Sequence, residues 1–158
     1  MMAETATPLD EADRRLLRLL QMAGRMPVAS LAEQVGLTAT PCLRRLRRLE
    51  EAGVIRGYRA DLDPRKLGLA VQAFVQVGLH RHDEATAAAF HRALENCPEV
   101  VAAYAMSGQT DYLLQVLAPD LDSYGAFMMQ RLLRLPGVKE ARSSFVLAVV
   151  KPPRGLPV

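Results

Sequence analysis

The chain has 158 residues, of which 50% are hydrophobic, a formal net charge of +3 and two cysteines. That length and apolar content suffice for one ordinary domain or two small ones and exclude a disordered chain. Cys42 and Cys97 form no C-x-x-C pair, the first residues lack a basic and apolar leader, and no apolar run approaches the ~20 residues of a membrane span, so the expectation is a soluble cytoplasmic protein with reduced thiols.

The charge is unevenly placed. Residues 1–60 hold ten arginines against seven Asp or Glu, whereas residues 61–158 hold ten basic and ten acidic side chains. A basic module joined to a neutral one is the implied organisation.

Residues 1–8 read as a loose arm. Leu9 to Ala23 follows as a helix, with Asp10 as N-cap, Asp13 in the first turn, Leu16, Leu17 and Leu20 on one face, and Gly24 as a stop. Val28, Leu31, Ala32 and Val35 recur at helical spacing, with Pro27 tolerated at the start and Gly36 at the end. Leu37 turns the chain, and Thr38 caps a third helix in which Pro41 falls within the first turn, where its missing N–H costs nothing.

This third helix carries four arginines. At 100° per residue Cys42, Leu43, Leu46 and Leu49 span one face, Arg44 and Arg48 lie opposite with Thr40 and Pro41 one turn earlier, and Arg45 and Arg47 flank the stripe. Few acidic residues stand nearby in sequence, since Glu50 and Glu51 come only at the end. An arginine face of this kind suits phosphates and guanine edges. Gly53 ends the helix, and Val54, Ile55, Tyr58 and Ala60 alternate loosely with Arg56 and Arg59 through a strand or wing. Residues 9–60 therefore read as a winged helix-turn-helix domain that binds DNA.

Residues 61–70, with Pro64 and Gly68, read as a linker. From Val71 the periods become strand, helix, strand, strand, helix, strand: Val71 to Leu79, a helix marked by Ala87, Phe90, Leu94 and Cys97, a hairpin of Val100 to Met106 and Tyr112 to Leu117, a helix marked by Leu121, Tyr124, Met128 and Leu132, and Val138 to Val150. Asp120 is its N-cap and Pro136-Gly137 its terminator. The order βαββαβ over residues 71–150 is the ferredoxin-like arrangement, so the fold class is α+β. Residues 151–158 read as a loose, Pro-rich tail.

In Tyr112 to Leu117 and Phe145 to Val150 both sides of the strand are largely apolar, although helices cover only one side. The chain has 5% aromatic residues and no Trp, too few for base stacking on a sheet. A second copy is the better cover, giving a homodimer.

Read end to end, the chain resembles the leucine-responsive regulatory protein and asparagine-regulator (Lrp/AsnC) transcription factors. The resemblance rests on L-D-E-A-D-R-R-L-L-R-L-L-Q from Leu9, L-A-E-Q-V-G-L-T-A-T-P-C-L-R-R-L-R-R-L-E from Leu31, G-V-I-R-G-Y-R-A-D-L-D-P from Gly53, S-G-Q-T-D-Y-L-L from Ser107 and L-P-G-V-K-E-A-R-S-S-F-V-L from Leu135. It departs slightly, with Ala39 where the family often has Pro and Pro27 where Ser is frequent. The resemblance implies a third helix docked in the major groove of double-stranded DNA at a pseudo-palindromic operator. It also implies a C-terminal regulation of amino-acid metabolism (RAM) domain that dimerises and binds an amino acid, with dimers assembling to an octamer, and a nucleoid-associated protein.

On that footing Thr40, Arg44 and Arg48 are expected near base edges, Thr38, Arg45 and Arg47 at phosphates, and Pro41 within the same DNA-binding surface. The resemblance places the effector near Ser107, Gly108, Gln109, Thr110, Asp111 and Tyr112. There Gly108 lets the backbone approach a carboxylate and Asp111 suits an α-ammonium group, with Ser143 and Ser144 contributing from a neighbouring subunit. The alternative within DNA binding is an architectural protein with no effector. An enzyme is not expected: His80, His82 and His91 have no metal-ligand spacing, and no nucleophile motif or phosphate-cradling loop occurs, so no catalytic residue, metal or cofactor is expected.

Overall fold

The computed structural model describes residues 7–152 and 155–158, so most of the expected N-terminal arm lies outside the described residues. The chain divides into two units, Met1–Asp61 with Lys151–Val158, and Leu62–Val150.

The first unit is built on three helices, α1 (Glu11–Met22), α2 (Val28–Val35) and α3 (Ala39–Glu51). Asp10 caps α1 through a reciprocal box: the Asp13 N–H donates to the Asp10 carboxylate at 2.9 Å and the Asp10 N–H donates to the Asp13 carboxylate at 3.1 Å. Gly36 ends α2 with φ 77°, a left-handed conformation that lets its N–H reach the Ala32 and Glu33 carbonyls and turns the chain sharply into α3. Leu16, Leu31, Ala32, Val35, Cys42 and Leu46 form the core between the helices, with Ile55 packed against it.

Three expectations in this unit change. Leu43 is 39% exposed and leaves the apolar stripe. Residues 54–60 form no strand. Ile55 donates its N–H to the Leu49 carbonyl at 3.0 Å, and no second strand among the described residues supplies a ladder, so the segment runs as a loop after α3. The tail, expected to be loose, hydrogen-bonds to α1, with Arg18 donating to the Val158 carbonyl at 2.8 Å and Gln21 to the Leu156 carbonyl at 3.1 Å.

The second unit holds β1 (Val71–Leu79), α4 (Glu84–Leu94), β2 (Val100–Ala105), β3 (Tyr112–Ala118), α5 (Leu121–Gln130) and β4 (Val138–Phe145). The antiparallel sheet has the order β2-β3-β1-β4 expected of a ferredoxin-like domain. Asp83 and Asp120 cap α4 and α5, accepting the Thr86 N–H at 2.8 Å and the Ser123 N–H at 2.7 Å. The core lies on the helix face of the sheet: Ala73, Val75, Val77 and Leu79 of β1 and Tyr112, Leu114, Val116 and Ala118 of β3 meet Phe90, Tyr124, Phe127, Met128 and Leu132.

Here too the limits of pattern reading show. Leu121, at the first position of α5, is exposed, and Phe127 occupies the core instead. The last strand stops at Phe145, not Val150: its pairing with β1 ends at Ala73, two residues short of β1's own end at Val71. One further bond, Val146 N–H to the Gln72 carbonyl at 2.9 Å, closes the ladder, and Leu147 and Val150 beyond it are 94% and 96% exposed.

Candidate functional sites

The outer face of α3 forms a shallow groove of about 560 Å³ lined by Thr40, Leu43, Arg44, Arg45, Arg47, Arg48, Glu51 and the capping Asp10. Thr38 sits at the N-cap with extended backbone but makes no side-chain cap bond, and its neighbour Thr40 is also exposed. Pro41 is half-buried in the first turn. Helix geometry thus brings the seven sequence-derived DNA-contact candidates onto one element.

The four arginines are not equivalent. Among the described residues Arg44 and Arg47 enter no ion pair within 4.0 Å and are exposed. Arg45 donates to Asp10 at 2.5 Å and to Asp13 at 2.9 Å, and Arg48 donates to Asp13. The local acidic partners that the helix lacks in its own sequence are therefore supplied from α1. The Asp13 N–H, then Arg45, hold the Asp10 carboxyl below its usual range, and the two carboxylates push the Arg45 guanidinium up. Reading along the chain assigns Asp10 and Asp13 only to the helix cap; nothing in a one-dimensional pattern announces a partner more than thirty residues away.

The hairpin turn between β2 and β3 is the second candidate. Gly108 has φ 127°, and the space where a Cβ would stand is open. Ser107, Gln109 and Thr110 complete the turn, the first two exposed and Thr110 half-buried. Asp111 accepts the Leu79 N–H at 2.7 Å through Oδ2 and meets His82 Nδ1 at 3.1 Å through Oδ1. One oxygen fixes the carboxylate to β1, and the other faces a histidine whose side chain is 75% exposed.

The remaining candidates do not converge on that turn within one chain. Tyr112 points into the helix face, its ring 4.8 Å from Phe90 and its hydroxyl 2.9 Å from His91 Nε2, and burial pushes that hydroxyl's pKa up. It borders a cleft of about 480 Å³ between α4 and β2 that His91, Leu94, Glu95 and Val100 also line. Ser143 and Ser144 lie on β4 opposite Val75 and Phe74, on opposite faces of the sheet, two strands (~10 Å) across from β3. Ser143 accepts the Tyr124 hydroxyl at 2.5 Å.

The open sheet face carries Phe74 on a central strand and Tyr104 on the edge strand, 37% and 53% exposed, with half-buried Leu113 and Leu117. No group of three His, Cys, Asp or Glu among the described residues is placed to hold a metal. No helix there is long and apolar enough to cross a membrane. Cys42 and Cys97 are buried and unpaired, and burial pushes both thiols up.

Comparisons with known proteins agree with this architecture. Residues 9–56 match a family model described as winged helix-turn-helix DNA-binding, and residues 72–156 match one described as Lrp/AsnC ligand binding domain. The leucine-responsive regulatory protein of Rhizobium meliloti is 43% identical over 143 residues, covering 90% of this chain and 92% of that one. The DNA-binding transcriptional activator DecR of Escherichia coli is 38% identical over 150 residues, covering 95% and 99%. A transcriptional regulator of Neisseria meningitidis solved as an L-Met complex superposes with a TM-score of 0.90 at 40% identity over 95% of this chain and 97% of that one. An AsnC family regulator from Agrobacterium tumefaciens superposes at 0.88 with 39% identity over 94% and 97%.

Proposed function

Because the chain belongs to the Lrp/AsnC family of transcriptional regulators, with a DNA-binding winged helix-turn-helix domain and a ligand-binding domain, we propose that it is a sequence-specific regulator of amino-acid metabolism whose DNA binding responds to an amino acid. The observation that carries the amino-acid reading is the 40% identical Neisseria regulator, solved as an L-Met complex, together with the fixed carboxylate of Asp111 beside an open glycine turn.

α3 enters the major groove. Thr40, Arg44 and Arg48 face base edges, with Pro41 shaping the approach, while Thr38 and Arg47 reach phosphates. Arg45, assigned to a phosphate by its place on the helix, is already engaged by Asp10 and Asp13. Two copies joined through the open sheet face, over Phe74, Tyr104 and Leu113, present two such helices to half-sites ~34 Å or a multiple apart, and such dimers build toward an octamer.

At the turn, the backbone N–H groups around Gly108 receive the effector carboxylate and Asp111 Oδ1 exchanges His82 for the α-ammonium group. Gln109 and Thr110 add neutral hydrogen bonds, and Ser144 comes from a neighbouring copy. An effector shifts the balance of assemblies only by its difference in affinity for them. Such a protein works in the cytoplasm on the nucleoid.

Melting the purified protein against each common amino acid tests the effector reading. A ligand at 100 times its Kd adds ~2.7 kcal/mol of stability, a shift that Asp111→Asn abolishes while leaving the free protein folded. No shift with any amino acid would leave the effector-independent architectural protein as the better description.

A further inference from the structure

Asp13 is the one buried charged side chain among the described residues, fully shielded from solvent at the start of α1. A capping box at that position needs only a short acceptor for the Asp10 N–H, a task a neutral amide or hydroxyl performs. The full charge has another use. Arg45 and Arg48, one turn apart on α3, donate to its two oxygens, and Asp10 takes a second bond from Arg45.

Two carboxylates and two guanidiniums make this network neutral, yet they divide it unequally. Arg45 is turned inward, its side chain 24% exposed. Arg48 is 50% exposed and is held by Nη2 alone, which leaves its other nitrogens at the surface of the groove. A guanidinium is planar, so one end clamped by a fixed carboxylate fixes the direction of its remaining N–H bonds. Guanine O6 and N7 demand such a directed pair of donors, and a side chain already held in place loses less freedom on binding.

We propose that Asp13 is a positioning residue for sequence reading: it clamps Arg48 so that its free edge reads a guanine, and it withdraws Arg45 from the phosphates. The inference rests on the DNA-binding reading above. Arg47 then supplies the charge that holds the backbone, with Arg44 beside Arg48 at the bases.

The test uses the full chain, a duplex selected from a random pool by the wild-type protein, and a shuffled duplex of the same composition, with affinities measured by fluorescence anisotropy across a salt series. Asp13→Asn should cut the preference for the selected duplex by roughly 10-fold. It should raise affinity for the shuffled one and steepen the salt dependence, by up to about one unit in log–log slope, as Arg45 keeps only Asp10 as a partner and can turn to a phosphate.

Arg48→Lys, which keeps the charge but loses the planar fork, should lose the same preference with an unchanged slope. The double variant should be no worse than either single one. A preference and slope for Asp13→Asn equal to those of the wild type would overturn the proposal, since a purely structural carboxylate alters only stability. Should Asp13→Asn not fold, an undiminished preference in Arg48→Lys overturns it instead. Wild-type protein that binds duplexes without enriching any sequence leaves DNA binding standing and removes base reading, whereas wild-type protein that binds no duplex removes both.

Discussion

Gly137 concentrates several constraints at one position. Its φ is 80°, and an added Cβ would stand 2.4 Å from Thr86 Cγ2. Thr86 cannot swing aside freely, because its hydroxyl donates to Asp83 at 2.9 Å in the cap of α4. Gly137→Ala should therefore destabilise the ligand-binding unit by roughly 2 kcal/mol, read as a lower urea midpoint with DNA binding by the other unit intact. Arg44 offers a contrasting case on the surface. Exposed and without an ion pair among the described residues, it should lose ~1–3 kcal/mol of specific DNA affinity on Arg44→Ala with no change in melting temperature. Both residues stand out in the sequence, Gly137 as a terminator and Arg44 as a groove residue. Asp13 does not, because its partners belong to another helix.

At the scale of elements, three helices begin with an aspartate that accepts the backbone N–H three residues on: Asp10, Asp83 and Asp120. In each, that backbone N–H is the largest cause holding the carboxyl below its usual value of 3.8. A depressed folded-state pKa means that the contribution to stability is present above the unfolded value and is lost as pH falls through the folded one. Both units should thus lose helix stability below about pH 4, visible as falling urea midpoints by circular dichroism. Asp83→Asn and Asp120→Asn should flatten that acid dependence in the ligand-binding unit. Inside the same elements, Leu114→Ala on the fully buried face of β3 should cost ~2–5 kcal/mol. Helix starts and the alternation of β1 are legible in sequence because caps and periodicity are local. The end of β4 is not, since it is set where the pairing with β1 stops.

The whole molecule has two units with separate cores, one basic and one neutral, matching the split of charge along the chain. The apolar residues on the uncovered sheet face give the proposed dimer its physical basis. Leu113 is half-buried there, and a charge introduced at that position on both copies would face its counterpart across a two-fold axis. Leu113→Glu should weaken self-association by roughly 30-fold or more in sedimentation equilibrium while leaving each unit folded.

By itself the sequence determined the family, the two-unit plan, the Asp10 and Asp120 helix caps and the arginine face, because each rests on residues close together in the chain or on a whole-length pattern of short motifs. Only the tertiary structure decided how those residues are used. It paired Arg45 and Arg48 with a buried carboxylate from α1, tied Asp111 to the backbone of β1, set Ser143 and Ser144 two strands across the sheet from the turn, and ended β4 at Phe145. The reason is the same in each case. An ion pair, a sheet register and a strand end are set by a partner distant in sequence, and a pattern read along one dimension contains no record of which partner arrives.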